Sequence, residues 1–380
     1  MTIERKVGMG IAGQPTGPAA DVAEVFSTYL YTGNNSTQTI TNGIDLDGEG
    51  GLTWIKGRTA GYGHNLYDTE RGATNSLASS SNAANAVKSD GLTAFNSNGF
   101  SLGSSGSHNT SGQDYASFTF RKKSGFFDCV TYTGDGNYND GSLFSKSIPH
   151  SLGVAPALIM LKRTDSSSDW WVWHKYNSSK VLKLNSDAAA SQSASVSGAN
   201  YLPIFASTAS IVVTDTDFKL NAGDHTNGIN NPAALLSNIS GGTYVAYLFA
   251  DNSAEIADNQ MIECGSFTGT GSAGLEVNLG WEPQWVLIKN ASRATGWMMQ
   301  DTMRGMSHNG WQYLLANDNA AESGDTSNRV VPTATGFTVN NNGGNDFGQS
   351  GDTLVYMAIR APMMKEPTAG TDVYNAVERT

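Results

Sequence analysis

The chain has 380 residues, 39% of them apolar and 15% charged, enough to bury two or three ordinary cores and too apolar for a disordered polypeptide. Its net charge of −11, with Arg121, Lys122 and Lys123 as the only short basic cluster, argues against a nucleic-acid partner, since neutralising phosphates takes clustered cations. No stretch approaches the roughly eighteen uninterrupted apolar residues of a spanning helix, so membrane insertion is not expected.

The N-terminal run MTIERKVGMGIAGQPTG carries acid and glycine where a secretory signal needs an apolar core. With Gly8, Gly10, Gly13 and Gly17 beside Pro15 and Pro18, residues 1–25 cannot form a core alone and read as an extended attachment arm. Beyond it a set of landmarks recurs three times. An aromatic-Thr-Gly triplet appears as Tyr31-Thr32-Gly33, Tyr132-Thr133-Gly134 and Phe267-Thr268-Gly269. Cys129 and Cys264 each precede it by three residues, with Thr28 in the first copy. Equivalent positions in separate repeats rarely meet, and no C-x-x-C spacing is present, so both cysteines are expected as buried free thiols.

Next comes an apolar run ending in lysine: GLTWIK at Lys56, ALIMLK at Lys162 and QWVLIK at Lys289. A leucine precedes each lysine by ten residues, at Leu46, Leu152 and Leu279. Pro156 and Pro283 stand just ahead of the second and third runs, where a missing N–H costs no ladder bond, and Gly50 takes that place in the first. Sixteen residues past the lysine, copies one and three reach the glycine of D-T-x-R-G in HNLYDTERG and WMMQDTMRG, whereas copy two reaches Ser178. Asp68, Arg71 and Gly72, and Asp301, Arg304 and Gly305, read as structural turns: the aspartate caps backbone N–H groups, the glycine takes a positive φ, and the arginine pairs with the aspartate or a neighbouring strand. A catalytic reading fails because copy three has Trp297 in place of His64 and copy two lacks the motif. Gly99-Phe100, Asp217-Phe218 and Gly336-Phe337 follow, then the closing runs YASFTFR, YVAYLFA and LVYMAIR.

These short β-prone runs, bounded by Gly, Asn, Ser and Asp, predict an all-β chain of three tandem antiparallel β-sandwich modules at residues 26–123, 124–256 and 257–362, with a tail at 363–380. The best helical candidate, Ser76 to Ser89, lacks an apolar stripe. IDLDGEGG fails the calcium-loop rule because Lys56 stands at the twelfth position, the histidines lack zinc spacing, and no phosphate loop or nucleophile elbow occurs, so neither metal nor cofactor is expected. GDGNYNDG, Gly134 to Gly141, reads as a hairpin loop. In WWVW, Trp171 and Trp173 fall on one strand face and Trp170 on the other; one face must be core. Candidate rings for stacking on a ligand are Trp170, Trp173, Tyr138 and Trp311.

The phrases FSTYLYTGNNSTQTITNGIDLDGEGGLTWIKGR, HNLYDTERGAT, HSLGVAPALIMLKR and DWWVWHKY resemble tandem modules of tail-fibre and other virion structural proteins of tailed bacteriophages, especially marine ones, over about Phe26 to Pro362. The resemblance implies jelly-roll or concanavalin-like sandwiches in a non-enzymatic virion component assembled in the host cytoplasm. It also implies contacts with other virion proteins, a homo-oligomer, by resemblance a trimer, and attachment to a host-surface glycan. A capsid or tail decoration (cement) protein is the alternative. A glycan depolymerase, with carboxylates roughly 5 to 10 Å apart in a cleft, is the second.

Overall fold

Runs rich in β-branched and aromatic residues, such as FSTYLYT, GLTWIKG and DYASFTFR, form strands, as side chains suited to a pleated surface do. The computed structural model describes residues 21–136, 144–177, 180–191, 194–196, 199–201, 213–221, 237–255, 259–306, 312–324, 328–341 and 347–362. Over these residues the chain is all-β, with several antiparallel sheets and short 3-10 turns.

One strand order recurs. In the first repeat the opening strand Phe26–Thr32 pairs with the closing strand Asp114–Arg121, which pairs with the lysine strand Gly51–Gly57, which pairs with the turn strand Asn65–Asp68. Phe127–Thr133, Thr243–Phe249, Leu158–Arg163 and Trp171–His174 assemble in the same order, as do Ile262–Thr268, Thr353–Arg360, Pro283–Asn290 and Met298–Asp301. The register is shared too: Leu52 faces Phe120, Leu158 faces Phe249 and Trp285 faces Ile359. A smaller sheet accompanies each, pairing Gly99–Leu102 with Gln38–Thr41, Asp217–Asn221 with Phe144–Pro149, and Gly336–Asn341 with Leu275–Asn278. Phe100, Phe218 and Phe337 each lie buried on these.

Alternation along the lysine strand sorts its side chains into two cores. Ile55 packs with Ile40, Phe100 and Tyr115 inside the first repeat, while Leu52 and Trp54 face a second core drawn from all three repeats. Likewise Val286 and Ile288 face the third repeat's own core, and Trp285 and Leu287 the shared one. Covering on both faces explains why all seven residues of Gly51–Gly57 are buried.

The glycine of each aromatic-Thr-Gly triplet permits a close approach. A Cβ on Gly33, Gly134 or Gly269 would lie 2.2, 2.1 or 2.6 Å from a backbone oxygen of the loop ahead of the closing strand, well inside van der Waals contact. That loop also accepts the Tyr31 and Tyr132 hydroxyls at His108 O and Ser237 O.

Val22 and Val25, assigned from sequence to the arm, are buried in the shared core, and Asp21, the first described residue, caps a 3-10 turn. The rest of the arm, the C-terminal tail and most of the loop at Gly134 to Gly141 lie outside the described residues. Cys129 and Cys264 are free and buried.

Candidate functional site at the repeat junctions

The D-T-x-R-G segments form matched turns. Asp68 Oδ1 accepts the Arg71 amide at 2.9 Å, its Oδ2 accepts Arg71 Nε at 2.7 Å, and Gly72 has φ 84°. Asp301 accepts the Arg304 amide at 2.9 Å and pairs with Arg304 Nε, and Gly305 has φ 101°. Both ion pairs are buried and reach beyond their repeat. The Tyr247 hydroxyl, in the closing strand of the second repeat, donates to Asp68 Oδ2 at 2.8 Å, and burial raises its pKa well above the usual tyrosine value. The guanidinium of Arg304 lies 5.5 Å from the ring centre of Phe118, which holds the same closing-strand position in the first repeat. In the second repeat His174 replaces the aspartate, and its Nε2–H donates to Tyr356 O of the third at 3.1 Å.

Three further contacts recur at each junction with equal spacing. The lysine of each lysine strand is fully buried and donates to backbone carbonyls, some of them in another repeat. Lys56 bonds Gly57 O, Tyr62 O, Asn319 O and Ala320 O; Lys162 bonds Asn82 O, Arg163 O and Ser168 O; Lys289 bonds Asp187 O, Asn290 O and Arg293 O. Burial pushes Lys56 and Lys162 down to about 8, which leaves both ammonium groups charged at neutral pH. Eight residues on, a ring N–H crosses the same border: His64 Nε2 to Leu315 O, Trp170 Nε1 to Ala78 O and Trp297 Nε1 to Lys183 O, each at 2.9 Å. Two residues past each lysine, a backbone carbonyl accepts an amide from that neighbour: Glu322 to Arg58 O, Asn85 to Thr164 O and Ala190 to Ala291 O, each at 2.8 Å. The first repeat thus grips the third, the second grips the first and the third grips the second, a closed cycle.

A cleft of about 600 Å³ opens where the first and second repeats meet. Arg71, Asn75 and Asn85 line it from the first repeat; Thr131, Thr133, Thr164 and Thr243, with Tyr132 and Tyr244, line it from the second. The two tyrosine rings stack at 4.9 Å with 9° between planes. A second cavity of about 300 Å³ is charged instead, with Lys122 bridging Glu70 at 2.8 Å and Asp128 at 3.1 Å.

The stacking candidates read from WWVW are corrected. Trp170 is 0% and Trp173 4% exposed, because one strand face packs on its own repeat and the other on a neighbour, leaving no ring free for a ligand. Tyr138 and Trp311 lie outside the described residues. Asp45, in the acidic loop IDLDGEGG, caps the Gly48 amide at 2.8 Å, and among the described residues no cluster of three His, Cys, Asp or Glu side chains is placed to hold a metal ion. Sequence reasoning missed the lysine cages and the cleft threonines. The recurrence of a lysine closing a buried run, followed eight residues later by a ring N–H, is the signal that finds the cages; the threonines carry none.

One family model, described as a domain of unknown function (DUF7483), matches residues 21–362 and so takes in all three repeats. No curated protein matches the chain.

Proposed function

The chain belongs to the DUF7483 family, and from that premise we propose that it is a non-enzymatic structural protein of a tailed-phage virion, a tail fibre or fibre-like appendage that docks through its N-terminal arm. The observation that carries this reading is how the polar groups are used. The lysines, His64, His174 and the Asp68–Arg71 and Asp301–Arg304 pairs all hold repeats together or close turns, as a scaffold requires. The recurring strand order and register support three tandem β-sandwich modules. Strand direction supports docking at one end: Phe26, near the first described residue, and Ile359, near the last, lie at the shared-core end of their strands. Among the described residues the exposed large apolar side chains are Val87, Tyr176 and Met303, one per repeat, which favours an appendage over a cement protein with a wide apolar face.

Gold-labelled antibody against the protein, imaged on intact purified particles, tests the proposal. Label at tail or fibre positions is the expected result. Label confined to infected cells and absent from particles overturns it.

A further inference from the structure

We infer that the cleft between the first and second repeats binds an uncharged carbohydrate. The inference names the ligand class for the attachment role proposed above and rests on that reading for its biological meaning. Its chemical basis is the lining, which presents threonine hydroxyls and no unpaired charge; the Asn75 and Asn85 amides are bonded to each other, to Arg71 and to Ala73, and the Thr164 hydroxyl is bonded to that of Thr243. Arg71, the one ionic side chain there, has Nε on Asp68, Nη1 on Asn85 Oδ1, and Nη2 on Leu66 O and Tyr247 OH, so four of its five donors are spent on the protein and its charge is paired with Asp68. An anionic ligand would find no unpaired cation. The Thr131, Thr133 and Thr243 side chains lie on exposed strand positions, and Thr133 sits directly opposite Thr243. Such hydroxyls both donate and accept, as sugar hydroxyls do. A volume of about 600 Å³ falls within the roughly 300–1,000 Å³ of small-ligand sites.

The cleft also depends on residues that set this junction apart. At the place of Thr164 and Asn85, the junction between the first and third repeats has Arg58 and Glu322, joined by an ion pair at 2.8 Å, and the remaining junction has Ala291 and Ala190. Only the first-to-second junction combines neutral polar side chains at both places. The cleft's position suits display: Thr133 and Thr243 lie six residues along their strands from Phe127 and Phe249, on the order of 20 Å from the shared-core end of the sheet, where Phe26 and Ile359 lie.

Saturation-transfer NMR and calorimetry on the full chain test this, using neutral hexose disaccharides to tetrasaccharides and, as the charged comparison, uronic-acid oligosaccharides of equal length. The expected result is saturable binding of a neutral sugar with a dissociation constant on the order of 1 mM. Thr131→Val with Thr133→Val should weaken it by about tenfold, with an unchanged circular dichroism spectrum and melting temperature; Thr39→Val, on another exposed strand, should leave it unaltered. No binding of any neutral sugar at tens of millimolar, binding indifferent to the threonine pair, or equal binding of the uronic acids overturns the inference. Because purified chain is used, the result is independent of particle labelling: a bound sugar with unlabelled particles sinks the virion reading alone, and labelled particles with no sugar sink this one alone.

Discussion

Phe120 of the first repeat meets Trp285 of the third edge-on, ring centres 6.0 Å apart and planes at 87°. The same phenylalanine lies 5.6 Å from Phe249 of the second repeat and 5.0 Å from Phe26 of its own. One fully buried ring therefore touches all three repeats, and the shared core makes them one cooperative unit. Phe120→Ala should cost about 3–5 kcal/mol in urea unfolding, and wild type should unfold in a single transition. Separate transitions for the repeats would contradict the shared core.

Lys56 Nζ donates to Asn319 O and Ala320 O of the third repeat and to the carbonyl of buried Gly57, so its replacement strands a buried acceptor and removes the bonds across the border. Lys56→Met keeps the stem and deletes the ammonium; it should destabilise the chain by about 1–3 kcal/mol, the cost of leaving buried polar groups unsatisfied. Lys162→Met and Lys289→Met should behave alike, since each removes an equivalent cage. A stable Lys56→Met chain would mean that water reaches those carbonyls.

The fold was legible where its signals are local. Strand runs, the triplet glycines and the Asp–Arg turns are governed by neighbours a few residues apart, and short-range pattern reads them. The junctions were not, because their partners are remote: Lys56 meets residues more than 260 positions later, and a lysine at a strand's end ordinarily points into water. The same remoteness explains Trp170 and Trp173. Alternation assigns one face of a strand to the core and leaves the other open, but here a neighbouring repeat covers the second face, as Trp170 Nε1 on Ala78 O records. The cleft joins Asn75 and Asn85 to Thr131 and Thr243, and nothing in either segment alone announces the other.

Asp68 joins two repeats through one carboxylate, paired with Arg71 and accepting from Tyr247 of the second repeat. Asp68→Asn leaves the Arg71 guanidinium buried beside a neutral amide and should cost about 3–5 kcal/mol, whereas Tyr247→Phe deletes two hydrogen bonds, one to Asp68 and one from Arg71, and should cost about 1–3 kcal/mol. A double-mutant cycle on the two in chemical denaturation should give a coupling above about 0.5 kcal/mol. Additive effects would show that the contact between repeats contributes nothing at this point.

His64 and His174 both tie their repeats to the third, and both are read as neutral with the proton on Nε2, since Nε2 faces a carbonyl. Burial, helped at His64 by the charge of Lys56 and at His174 by the charge of Lys175, pushes their pKa values down to about 3 and about 4. Burial and Lys88 bring His108 to about 4. In the unfolded chain these imidazoles take up protons near their ordinary value of 6.5, so below it the unfolded state binds more protons than the folded state. The stability they contribute is complete above pH 6.5 and is lost as pH falls toward 4, by at most about 1.4 kcal/mol per pH unit for each histidine. His64→Gln with His174→Gln keeps an amide N–H for Leu315 O and Tyr356 O without a titrating ring. Denaturation midpoints at pH 7, 6, 5 and 4 should therefore fall less steeply for the double variant than for wild type, with His108 supplying part of the remaining slope. Parallel profiles would mean that the two junction histidines are protonated in the folded chain without cost, which the Trp54 Nε1–H already bonded to His64 Nδ1 at 2.7 Å opposes.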